Sequence, residues 1–429
     1  MPPTRAVPAA VLLATVLAVG SNGVVARWHV AAPSLARSPI VASSIAPMSS
    51  ESPSPSTALS PEPVSVRTVE IPGARLISMS PDGRSIVGVV PLGNYSHGKL
   101  CVYDVATLAQ RSCADLSGLD AGLMLREVTW SPDSLHLAFT ELAFQVLRDG
   151  DLWLMDVATG ALLNLDDDRY RGPWGLTKVP GTITEPMSPT FTPDGRAVTY
   201  ARTTIVDGEL AGNDIATVPI AGGPAVRLAQ VTETEPGVVY DTMRWAPDGS
   251  RLYYSYAAPD ATDSHNGIWS VAADGSGAHL LTGDTTGGGD APAVASISPA
   301  GDLLLGWYPH RAIQFPVRGP VLATMGTSTG TTHPIQPPGS LSAPAGFVQM
   351  AAFSPDGATL LLFTMGTEPD RQVLLRPTAG GSSVPIVPGG LPFGGTPDYP
   401  LMPTWASNGT VFIPGGAELS KGFILTMPG

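Results

Sequence analysis

A few residue groups could do chemistry on type and spacing alone. GTSTG at 326–330 matches G-x-S-x-G, the turn that exposes a nucleophilic serine between a strand and a helix. No helix pattern follows Ser328, and the flanking residues alternate as a hairpin does, so Ser328 is expected at a turn tip. The histidines are His29, His97, His136, His265, His279, His310 and His333. None forms an HxH, HxxxH or HExxH pair, so no local metal-ligand spacing is present and no metal or cofactor is expected. His136 is expected in a strand and the others in loops. Asp166, Asp167 and Asp168 offer carboxylates to a hard cation but lack alternating DxDxDG order, so a solvated acidic loop is expected. The same segment supplies Arg169, Tyr170, Arg171 and Trp174, residue types enriched at binding hot spots. Cys101 and Cys113 are the only cysteines. If Val105 opposes Ala109 across a three-residue loop, the two sulfurs face each other across one hairpin, within bonding range.

The elements that must position these groups are repeated. One short motif recurs as MSPDG (79–83), WSPDS (130–134), FTPDG (191–195), WAPDG (245–249), ISPAG (297–301), FSPDG (353–357) and WASNG (405–409). The spacings are 51, 61, 54, 52, 56 and 52 residues, and LDDDRYRGPWG (165–175) is read as the source of the longest. Proline presets φ at the first corner, aspartate accepts backbone N–H groups, and glycine takes the left-handed position. Each motif therefore joins two strands. Hairpins such as KLCVYDVATLAQRSC (99–113) and DLWLMDVATGALLNL (151–165) supply two more per repeat. Four antiparallel strands repeated seven times predict an all-β, seven-bladed propeller. The last repeat holds three strands, the final one FILTM, and VSVRTVEI (64–71) is expected to close the ring as its fourth. GDTTGGGDAP (283–292) lacks GK[ST] and a following helix, so it reads as a connector. Met187, Met243, Met350 and Met402 on first strands read as core. NYS (94–96) and NGT (408–410) fit a glycosylation sequon and carry little weight.

Composition agrees. The 429 residues include 48 Gly and 44 Pro, and only 14% are charged. That density of helix breakers excludes a bundle, a coiled coil or a helical solenoid. Net charge is −13, which argues against nucleic acid as partner. Residues 1–26 carry Arg5 and an apolar stretch, AVPAAVLLATVLAVG (6–20), and read either as a signal peptide or as an N-terminal membrane anchor. Residues 27–63 form a Pro/Ser/Ala-rich linker, and 64–429 the propeller. Both readings of the start place the propeller outside the cytoplasm: secreted, periplasmic or tethered to the outer side of the cytoplasmic membrane.

The SPDG turn after a bulky residue, followed by a DLWLMDVATG-type hairpin, resembles the TolB-type propeller family of WD-like repeats over residues 64–429. The resemblance implies a protein-interaction or ligand-sensing scaffold outside the cytoplasm. Similar blades form the propellers of prolyl-oligopeptidase-type peptidases and of some lyases, but no hydrolase domain pattern follows Ser328. The expectation is a monomeric, non-catalytic propeller that binds a protein, peptide or cell-envelope ligand through loops on one face. It touches membrane only through its N-terminal segment. The alternatives are a lyase or hydrolase centred on the channel and a structural envelope adaptor. Arg126, Glu127, Asp241 and Arg244, on first strands, are the channel-facing candidates.

Overall fold

A computed structural model describes residues 65–92, 97–119, 128–141, 150–170, 181–232, 243–256, 264–283, 290–309, 322–328, 330–335, 347–365, 373–386, 403–415 and 420–427. They form seven four-stranded antiparallel sheets, six of them in simple sequence order. In the seventh blade the order is closing strand, then last, second and first strands. The closing strand, Ser65–Glu70, pairs with Lys421–Thr426 from Ser65↔Thr426 to Glu70↔Lys421. Ring closure by the N-terminal strand is thus as the repeat count predicts.

The turn chemistry is visible bond by bond. In blade 1 Ser80 N–H donates to Ser85 O at 2.8 Å and Gly83 N–H to Ser80 O at 2.9 Å. Asp82 Oδ1 accepts the Arg84 N–H at 3.0 Å and the Ser80 hydroxyl. Ser131/Asp133, Thr192/Asp194 and Ser354/Asp356 repeat this pattern. The two copies that lack aspartate are also shorter. Ser298 closes onto Asp302 and Ala406 onto Thr410, one residue earlier than Ser80 onto Ser85. With one residue fewer to bridge, the backbone closes the turn without a carboxylate.

Between blades, packing is apolar. Leu152 and Leu154 of blade 2 meet Val198 and Tyr200 of blade 3, and Ala201 and Ile215 of blade 3 meet Trp245 and Leu252 of blade 4. The bulky residue before the turn also reaches back to the preceding blade. Trp130 Nε1 donates to Ser78 Oγ at 3.1 Å, and Trp245 Nε1 donates to Thr199 Oγ1 at 3.2 Å. Trp405 Nε1 is buried with no acceptor among the described residues. Blade 6 places Ala352 and Leu361 where the earlier blades place Ser78 and Thr199.

Cys101 and Cys113 are bonded. They face each other in the register of the third and fourth strands of blade 1, His97–Asp104 and Gln110–Asp115. The route differs from the expected loop. Asp104 N–H, not Val105, closes onto Ala109 O, Tyr103 pairs with Gln110, and a bulge between Val102 and Tyr103 restores the alignment. The Asp104 carboxylate holds the tight turn through the Thr107 N–H and hydroxyl, and Leu108 takes a left-handed φ of 59°. Cys101 is 1% exposed and belongs to the cluster between blade 1 and the closing blade. Replacing both cysteines by serine is expected to lower stability by about 3 kcal/mol, from the closure of a short loop in the unfolded chain. Urea unfolding of oxidised parent and double variant measures it.

Candidate functional site

The chain direction sorts the loops onto two faces. First strands run into the SPDG-type turns, so these turns and those between third and fourth strands share one face, the turn face. Connections between second and third strands, and between blades, lie on the other.

On the turn face the motif turns touch one another around the ring. Asp82 N–H donates to Ser134 Oγ at 3.2 Å, and Ser407 N–H donates to Pro81 O at 2.8 Å. Ser134 stands where other copies have glycine, at φ 64°, and its hydroxyl makes the contact with blade 1. At the centre lies an open funnel of about 390 Å³. Pro81, Pro247, Pro299 and Pro355 line it with Ile297, Phe353 and Trp405. These residues come from blades 1, 4, 5, 6 and 7. Blades 1 and 4 are not neighbours, so the funnel lies on the ring axis. Ser298, Ser354 and Ser407 complete the lining. Their hydroxyls are engaged in the turns: Ser298 Oγ accepts the Asp302 N–H, Ser354 Oγ donates to Asp356, and Ser407 Oγ donates to Pro81 O. No lining side chain is charged. The signal was in the sequence, because six of the seven motifs carry proline at the third position, and Ser407 stands there in the last. Within a single motif that proline signals turn chemistry alone.

On the connection face the acidic segment is more structured than a solvated loop. Asp167 and Asp168 accept the N–H groups of Arg169 and Tyr170, and Asp168 also accepts the Thr184 N–H at 2.8 Å. Asp166 accepts Tyr200 Oη–H at 2.9 Å and Thr184 Oγ1–H at 3.3 Å. Beside it Arg202 grips Asp214 with two bonds, of 3.0 and 2.9 Å. Blade 3 makes this possible because its first three strands, Thr182–Phe191, Ala197–Val206 and Glu209–Pro219, have 10, 10 and 11 residues. Long strands therefore account for part of the longest repeat spacing, along with the loop. The buried surroundings push Asp166 above the usual carboxylate range, and burial and the Asp166 charge push Tyr200 up.

The sign of the Asp166 shift sets a test. A carboxylate raised in the folded state adds stability that is complete below its unfolded value of about 3.9 and is lost as pH climbs through the folded value. Asp166→Asn keeps the acceptor for Tyr200, so it should gain on the parent from acid towards neutral pH. Tyr200→Phe leaves the carboxylate short of a donor and should cost about 1.5–3 kcal/mol at neutral pH. Turn aspartates such as Asp156, lowered by the Thr159 hydroxyl, and Asp194, lowered by the Thr192 hydroxyl, have the opposite slope. They are common to both proteins, so chemical denaturation of parent and Asp166→Asn at matched pH isolates the site.

The candidate residues do not all meet. Arg169 is exposed at φ 68° on the connection face, with Tyr170 half-buried beside it. Arg171, Trp174, Arg126, Glu127 and Asp241 lie outside the described residues, as do residues 1–64 with both readings of the N-terminus, the NYS sequon and Met402. Arg244 lies on the first strand of blade 4. Its guanidinium donates to Met243 O at 2.8 Å and to Ala295 O of blade 5 at 3.2 Å. It thereby joins two blades. Ser328 is exposed in a tight turn closed by Gly330 N–H to Gly326 O at 2.8 Å, as expected of a hairpin tip. His136 begins a strand as expected, but His97, His279 and His333 also lie in strands, where alternation hid them. Gly283 and Asp290–Pro292 of the glycine-rich connector are strand residues too. Met187 and Met243 pack into the core between blades 3 and 4. Among the described residues no group of His, Cys, Asp and Glu is placed to hold a metal ion.

No protein-family model matches the chain, and no curated protein matches it. Solved structures do. Oligogalacturonate lyase of Vibrio parahaemolyticus superposes with a TM-score of 0.57 at 11% identity, over 86% of this chain and 98% of that one. Acylaminoacyl peptidase superposes with a TM-score of 0.50 at 9% identity, over 79% of this chain and 49% of that chain. A protein described as TolB, of Agrobacterium tumefaciens, reaches 0.38 at 17% identity, over 72% of this chain and 90% of that one. At these identities the likeness is one of fold.

Proposed function

We propose that the chain is an exported, non-catalytic binding propeller of TolB type that takes a protein, peptide or cell-envelope ligand at the axial funnel of its turn face. The observation that carries this reading is the funnel itself. Turns from several blades converge there, present proline rings and aromatic side chains, and keep their hydroxyls bonded within or between the turns. Such a surface offers apolar contact to a ligand. The disulfide supports an oxidising compartment, as does the pattern of residues 1–26.

A second reading is favoured by one observation. Asp166, Tyr200 and Arg202, with Asp214 bonded to Arg202, form a titratable cluster in which burial pushes Asp166 and Tyr200 up, the environment in which acid–base catalysts are found. A propeller enzyme would need a cluster of this kind for proton transfer. Tyr200 is fully buried, which favours a packing role. The purified full chain should leave oligogalacturonate and peptide substrates unchanged. Turnover at enzymatic rates that Tyr200→Phe abolishes, in a folded variant, would replace the binding reading with the enzyme reading.

A further inference from the structure

We propose that the funnel recognises a cationic, proline-rich peptide in the extended polyproline conformation. This rests on the reading of the turn face as a binding surface and names the ligand's chemistry. The lining is apolar and its hydroxyls are already bonded, which suits poorly a sugar that needs many hydrogen bonds. A polyproline helix has few N–H groups to satisfy, keeps its carbonyls in water and presents flat apolar rings to aromatic and proline surfaces.

The charge at the rim selects the peptide's sign. Asp82, Asp248 and Asp356 directly follow the lining prolines Pro81, Pro247 and Pro355. Asp248 and Asp356 are exposed. Each is lowered from the usual carboxylate value, Asp248 by the Ser250 N–H and Asp356 by the Ser354 hydroxyl, so both are ionised at neutral pH. Arg84 is the basic residue that follows one of these three turns directly. Arg251, after Ser250, is turned along its own blade to Ser270 Oγ and Gly277 O. The rim of the funnel is therefore net acidic.

The test titrates the full chain with a synthetic peptide of Pro-Pro-Arg repeats, beside Pro-Pro-Glu and Gly-Ser-Arg repeats of equal length. Binding of the first alone, weakened as salt rises through about 0.15 M, is expected. Asp248→Asn with Asp356→Asn should weaken it about fivefold. Asparagine keeps the turn acceptor, as Asn408 does for the Thr410 N–H at 3.0 Å, so this variant should fold. Ala300→Lys, beside Pro299, adds a repelling charge without touching a turn bond and should weaken binding as well. Equal binding of Gly-Ser-Arg, preference for Pro-Pro-Glu, or no binding by the folded parent would overturn the proposal. If a photoreactive residue at position 300 still captures a partner in the native envelope, the binding reading survives that failure. If it captures none, both fall.

Discussion

Val69→Asp is expected to destabilise the protein by about 4 kcal/mol, whereas Val66→Asp on the same strand should change stability by less than about 0.5 kcal/mol. Val69 is fully buried, and Val66 is 42% exposed. The two residues lie on opposite faces of the closing strand. Val69 packs into the cluster that joins Leu76, Ile86 and Tyr103 of blade 1 to Phe412 and Ile424 of blade 7. Arg67, on the same face as Val69, donates to Val105 O at 2.6 Å and ties the strand to a turn of blade 1. A carboxylate at position 69 would lie unpaired between the two blades that close the ring. Urea unfolding of both variants reads the contrast directly. Should Val69→Asp fail to fold, Val69→Ala provides a milder probe, with an expected loss of about 2 kcal/mol. Equal effects at 66 and 69 would show that the closing strand does not seal the ring.

Gly160→Val should cost a similar amount, about 3–5 kcal/mol, for two reasons. Gly160 has φ 74° in the tight turn of blade 2, a conformation that a β-branched residue resists. A Cβ there would also meet the carbonyl group of Cys113, in the outer strand of blade 1. That neighbour is backbone, and the strand is fixed by the disulfide and by Ser112 Oγ donating to Val157 O. Gly73 separates the two causes. It has nearly the same φ, 78°, and nothing within 4 Å of the added atom. Gly73→Ala should therefore show the conformational cost alone, about 1 kcal/mol. Gly160→Ala should show more, and the difference measures how tightly blade 2 rests on blade 1. Differential scanning calorimetry of the set would check it, and equal shifts at 73 and 160 would contradict the contact.

The architecture was legible because one residue pattern serves it repeatedly. Pro81-Asp82-Gly83 and its copies encode turns through local geometry, and local geometry does not depend on the rest of the fold. The closing strand was legible from the three strands of the last repeat. The Cys101–Cys113 pairing was predicted correctly through a different loop, because a bulge offset the shorter turn at Asp104. The candidate site was less legible. Asp166 read as solvated because nothing local reveals that Tyr200, far along the chain, supplies a hydroxyl. Arg244 stands on a first strand as expected, but its acceptor, Ala295 O, is a backbone atom of another blade, which the residues around Arg244 do not reveal. The funnel prolines were identified as turn formers. Their second role arises only when turns from separate blades meet at the axis, and one repeat does not contain that information.

We propose that ligand is bound at the axis of the turn face. Placing a photoreactive amino acid at Ala300, beside the funnel, and at Leu163, exposed on an outer strand, in the full chain within its own cells tests it most directly. Irradiation should yield a discrete covalent adduct from position 300 and none from position 163. Adducts from 163 alone, or none from 300 in a folded and normally abundant protein, would contradict the claim.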